Sequence, residues 1–118
     1  MNEDYVSFEL AKKLKEKGFL YATETIYFED GGTGIYVGKE NIIGSSLFPR
    51  PTIALAMKWL REEKKIYVQI EINGKGYVCG LYGRKYDDSY LIVESQNIFK
   101  SYEEAAIAGI TYVIDIYV

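Results

Sequence analysis

Residues 66–82 constrain the fold of this chain more than any other stretch. Two runs that are apolar at alternate positions, Ile66-Tyr67-Val68-Gln69-Ile70-Glu71-Ile72 and Tyr77-Val78-Cys79-Gly80-Leu81-Tyr82, flank Asn73-Gly74-Lys75-Gly76. Asn-Gly between alternating runs is a strong hairpin signal, because both residues accept the positive φ that a tight β-turn requires. Whether the turn is Asn73-Gly74 alone or the four residues through Gly76, side-chain parity comes out the same. Ile66, Val68, Ile70, Ile72, Tyr77, Cys79 and Leu81 then share an apolar face, while Tyr67, Gln69, Glu71, Val78, Gly80 and Tyr82 share a mixed, wet one. Antiparallel sheets commonly cover one face and leave the other solvated.

The rest of the chain supplies the cover. Over residues 7–17, Ser7 can cap a helix whose Phe8, Leu10, Ala11 and Leu14 recur at helical spacing against a lysine-rich outer face. Gly18 offers the left-handed position that ends it, with Phe19 placed to fold back on Leu14. β-Branched and aromatic residues over 23–28 and 35–37 read as two strands around the turn Asp30-Gly31-Gly32-Thr33-Gly34. Residues 38–50 read as irregular.

Thr52 caps a second helix running to about residue 64, with Ile53, Ala56, Met57 and Leu60 as its apolar stripe and Leu55 and Trp59 widening it. Trp59 and Leu60 are expected to dock this helix on Val68, Ile70 and Cys79. A further strand, 90–94, follows the turn Asp87-Asp88-Ser89. Ser101-Tyr102-Glu103-Glu104 is a capping box opening a last helix that carries Ala105, Ala106, Ile110, Val113 and Ile114. Residues 110–118 are β-branched enough to read as a strand, and the capping box and the alanine pair decide for helix. The order is αββαβββα and the expected class α+β, an antiparallel sheet with helices packed on one face.

A chain of 118 residues is expected to form a single domain, 1–118, with a core that needs no staples. Its net charge of −3 has the wrong sign for a phosphate-backbone binder, so nucleic acid is an unlikely partner. Cys79 is the one cysteine, which excludes an intrachain disulfide. Met1-Asn2-Glu3-Asp4 is acidic where a signal peptide is basic, and no apolar run approaches the ~20 residues that span a bilayer. The expected location is the cytoplasm, away from membranes.

With no histidine, the chain lacks the side chain most used for proton transfer near neutral pH, together with every His-based triad or zinc site. Cys79 falls on the apolar face, where a thiol behaves as an inert hydrophobe. The glycines of Gly74-Lys75-Gly76-Tyr77-Val78-Cys79-Gly80 have a dinucleotide-like spacing, but a strand follows where a helix N-terminus must receive the pyrophosphate. They serve the turn and give a neighbouring ring room at Gly80. Gly31-Gly32-Thr33-Gly34 lacks a following Lys-Ser or Lys-Thr and reads as a hairpin turn. Tyr86-Asp87-Asp88 is similar to the metal-binding hairpin of palm-type polymerases over three residues only, and reads as a plain turn. Lys12, Lys13, Lys15 and Lys17 form a basic face interrupted by Glu9 and Glu16, which reads as solvated. The second helix through the third has the αβββα order of a double-stranded-RNA-binding domain, but Glu103-Glu104 stands where such domains present lysines. No catalytic residue, metal or cofactor is expected.

Three blocks of the chain are similar to a family of small uncharacterised proteins from gut anaerobic bacteria and their phages and mobile elements. They are Asp4-Tyr5-Val6-Ser7-Phe8-Glu9 with Ala11-Lys12-Lys13-Leu14-Lys15-Glu16-Lys17-Gly18-Phe19, then Ala54-Leu55-Ala56-Met57-Lys58-Trp59-Leu60-Arg61-Glu62 after a Pro-Thr turn, and Ser101-Tyr102-Glu103-Glu104-Ala105. The resemblance implies the α+β fold and a terminal helix, and carries no activity, cofactor or site residue.

Tyrosine is the outstanding residue type, with 12 copies against one tryptophan and five phenylalanines. Each buried ring brings a hydroxyl that needs a partner, which favours core edges and exposed faces. The expected function is a non-catalytic interaction module that contacts a protein partner, or a second copy of itself, through Tyr67, Gln69, Glu71, Tyr82 and Tyr90 on the open sheet face. The alternative is a small-ligand binder, with tyrosines stacking on a nucleotide-like molecule and Arg50, Arg61 or Arg84 reaching its charge. An exposed tyrosine patch favours the first, and a closed pocket holding an arginine the second.

Overall fold

The computed structural model describes residues 4–35, 45–85, 88–94 and 97–118. The chain divides into two compact units, 1–55 and 56–118.

In the first unit, helix α1 (Phe8–Glu16) begins on Ser7, whose hydroxyl accepts from the Leu10 amide at 3.2 Å. It ends as the sequence indicates. Gly18 takes φ +95, its amide donates to the Lys15 carbonyl, and the Phe19 amide donates to that of Leu14 at 2.9 Å. This doubly bonded ending satisfies carbonyls that a helix terminus leaves orphaned. It also carries Phe19 into the interior beside Leu14, both buried.

Strands β1 (Thr25–Tyr27) and β2 (Thr33–Ile35) form a hairpin as expected, but Thr33 and Gly34, read as turn, pair with Tyr27 and Ile26 in the returning strand. A short third strand, β3 (Phe48–Pro49), pairs on the other side of β1. That strand lies inside the stretch read as irregular. Its two residues are too few to show an alternation, and it exists because β1 offers a free edge. Residues 36 and 37 of the expected returning strand lie outside the described residues. Lys15 leaves the solvated face expected for it: its Nζ donates to the Ser45 and Leu47 carbonyls at 2.7 Å each and stands 4.9 Å from the Phe48 ring centre. Burial lowers its pKa from the ordinary lysine value.

Helix α2 (Ile53–Trp59) starts on Thr52, whose hydroxyl accepts from the Leu55 amide. It passes into a π-helical turn (Leu60–Lys64) closed by Lys65 in the left-handed region at φ 59. Trp59 and Leu60 are both buried.

The second unit is built on strands β4 (Ile66–Asn73), β5 (Gly76–Lys85) and β6 (Asp88–Glu94), antiparallel in the order β4-β5-β6. The register sets Val68 opposite Leu81, Ile70 opposite Cys79 and Tyr67 opposite Tyr82, so both faces of the hairpin have the expected membership. Asn73 pairs with Gly76, leaving Gly74 at φ +62 and Lys75 as the turn. Asp88 and Ser89, read as part of a turn, belong to β6, and residues 86–87 lie outside the described residues.

Helix α3 (Tyr102–Ile116) is one continuous helix, so the β-branched ending is helical through Ile116. The Ser101 hydroxyl accepts from the Glu104 amide at 3.1 Å, and the Glu104 carboxylate accepts from the Lys100 amide at 3.3 Å. Ala105, Ala106, Gly109, Ile110, Val113 and Ile114 form the buried stripe, and this tertiary burial outweighs the strand propensity of its branched residues. The class is α+β as expected, with the strands shared between two three-stranded sheets. The helix seated on Val68 and Cys79 is α3: a Cβ added at Gly109 would lie 2.8 Å from Val68 Cγ1 and 3.5 Å from Cys79 Sγ.

Candidate functional site

The expected tyrosine cluster is only partly assembled. Tyr67 and Tyr82 are direct cross-strand partners and both half-buried, with the Tyr82 ring lying along its strand over Gly80, where a Cβ would meet it at 2.9 Å. Gln69 and Glu71 follow on the same face, exposed and joined by a 3.2 Å hydrogen bond.

Tyr90 does not join them. Pairing of Lys85 with Asp88 carries Gly83 opposite Tyr90 and Tyr82 opposite Leu91, so Tyr90 belongs by parity to the face of Ile66 and Val68. Its ring lies over Gly83, where any Cβ would clash with it. Adjacency of the strands was legible in the sequence, but the face depended on a register one residue away from the one assumed. Glycine opposite an aromatic residue was the available signal. Leu91, 51% exposed, takes the place expected for Tyr90.

The concave site lies on the other face. Gly109 lets α3 touch the sheet at Val68 and Cys79. Beside that contact, a cavity of about 330 Å³ is lined by Cys79, Leu81, Val93, Glu94, Asn97, Phe99, Ala108, Gly109 and Tyr112. Three features of the chain shape it. Ala108 and Gly109 are too small to fill the space that a larger helix residue would occupy. The register of β6 shifts by one between its pairings with Leu81 and Tyr82, which leaves Ile92 unpaired and re-aims the strand. Past Glu94 the chain meets β5 again at Phe99, whose amide and carbonyl bond to Tyr77 at 2.7 and 2.8 Å. That return demands Gly76, where a Cβ would stand 2.6 Å from the Phe99 carbonyl oxygen. The sequence carries one sign of the groove, the adjacent small residues Ala108 and Gly109 in the last helix.

The arginines proposed for a nucleotide's charge are elsewhere. Arg50 stacks on the Tyr5 and Tyr27 rings, 3.9 and 5.4 Å from their centres, and its Nη1 reaches Thr25 Oγ1 at 3.5 Å while its Nε is buried without a hydrogen-bond partner. There it ties the segment before α1 to β1. Arg61 lies in the π-helical turn and Arg84 on β5, and neither lines the groove. Cys79 is 7% exposed and forms part of the groove floor. Among the described residues no group of three His, Cys, Asp or Glu side chains could hold a metal ion, and no helix is long and apolar enough to cross a membrane. Comparison with known proteins gives no significant match to a family model, a curated protein or a solved structure.

Proposed function

We propose that this chain is a binding module that holds a small, mainly apolar molecule between α3 and the β5–β6 side of its sheet. The observation that carries the reading is the cavity. Its volume of about 330 Å³ falls within the roughly 300–1,000 Å³ usual for ligand sites, and an apolar lining with few polar groups is their usual chemistry. The test is native mass spectrometry of the protein drawn from its own cells, beside thermal melts with a set of neutral apolar fragments. An adduct released on denaturation, or a melting temperature that rises with fragment concentration, is the expected result. Both signals should vanish when Ala108→Trp fills the groove. A protein that carries no adduct and responds to no fragment would sink the reading.

A second reading is favoured by the Tyr67–Tyr82 pair with exposed Leu91 beside it. Tyrosine supplies broad contact area with a polar tip, so this face suits a protein partner or a second copy of the chain. The double substitution Tyr67→Ser and Tyr82→Ser should then abolish a captured partner or the dimer mass with the fold intact. A lower melting temperature alone would mean that the rings serve only cross-strand pairing, at roughly 0.2–1 kcal/mol per pair.

A further inference from the structure

We infer that the groove between α3 and the sheet selects a flat, neutral aromatic molecule, a class that rests on the groove-binding reading above. Its shape is the first ground. At Gly109 the helix backbone comes so close to the sheet that a Cβ would already touch Cys79 Sγ at 3.5 Å, and both residues line the groove together with Val93 and Phe99. The gap between helix and sheet therefore closes at the Gly109–Cys79 contact. A flat ring can approach such a closing gap edge-on more closely than a puckered ring of the same carbon count. In close-packed interiors even one extra methylene is felt.

The walls are the second ground. The Phe99 and Tyr112 rings line the groove, and aromatic pairs in offset or edge-to-face arrangements gain beyond the area they bury. The Cys79 sulfur on the floor offers the polarizable contact that aromatic edges accept. Charge is the third ground. No lysine or arginine is among the described lining residues, and the one ionisable carboxylate there, on Glu94, disfavours an anion. An anionic aromatic would have to shed its hydration against apolar walls with no counter-charge.

Three probes on one two-ring skeleton test this: 2-naphthol, its saturated counterpart decahydro-2-naphthol, and 2-naphthoate. Each is titrated into the ¹⁵N-labelled full chain while amide shifts are followed. The expected result is that 2-naphthol moves the amides of Cys79, Leu81, Val93 and Gly109, and binds at least about tenfold more tightly than either of the others, a difference of about 1.4 kcal/mol. If decahydro-2-naphthol binds as well, the preference for a flat ring is overturned while the groove remains a site. Equal binding of 2-naphthoate overturns the neutral preference in the same way. If none of the three moves those amides, or 2-naphthol moves only those around Tyr67 and Tyr82, the groove reading itself falls.

Discussion

Leu60→Ala is expected to lower the unfolding free energy by about 2–5 kcal/mol, the range for truncating a fully buried leucine. Leu60 is 0% exposed and opens the π-helical turn that follows α2. Two effects combine in that cost. The side chain loses its transfer out of water, and the void is hard to close because the π turn is pinned on its far side. There Lys65 holds a left-handed conformation, with its amide bonded to the Leu60 carbonyl and its Nζ to that of Glu62. A domain of this size is stable by only about 5–15 kcal/mol, so the loss is a large share. Urea unfolding should show a lower midpoint with the slope retained, the sign of changed stability rather than a changed denatured state. A midpoint shift worth less than about 0.5 kcal/mol would mean that the turn is not pinned and closes over the void.

Gly109→Val should destabilise by about 1–3 kcal/mol through overpacking, against the small gain in helix propensity that replacing glycine brings. The Cβ alone would stand 2.8 Å from Val68 Cγ1, so the Val68 side chain or the helix must shift before the two γ carbons are placed. Gly109→Ala is the informative control, because it adds the close Cβ and recovers about 1 kcal/mol of helix propensity. Its net effect should lie well below that of valine. Pairing Gly109→Ala with Val68→Ala should show positive coupling, since each change relieves the other. If Gly109→Val leaves stability unchanged, α3 is not seated on Val68 and Cys79, and the groove beside that contact goes with it.

Much of the local structure was legible because it is decided within a few residues. The Ser7, Thr52 and Ser101 caps, the Gly18 ending of α1 and the parity of the 66–82 hairpin each depend on neighbours close along the chain. The same reach explains the limits. Ile72 belongs to the apolar face by parity yet is 78% exposed, because parity assigns a face without saying how far its cover extends, and Val78 is buried although parity puts it on the mixed face.

What the sequence by itself determined, then, is which residues are helical, which alternate, and which of the alternating ones share a face along a single hairpin. Only the tertiary structure decided the partition of the strands into two sheets, the face on which Tyr90 lies and the groove beneath α3. The physical reason is common to all three. A register shift of one residue turns Tyr90 over, a free edge on β1 recruits Phe48 and Pro49, and a missing Cβ at Gly109 brings the last helix down on Val68 and Cys79. In each case the side-chain pattern of one segment is compatible with either outcome, and the pairing partner decides. That partner lies near in the chain, as Lys85 does for Asp88, or far away, as β1 does for Pro49 and Val68 for Gly109.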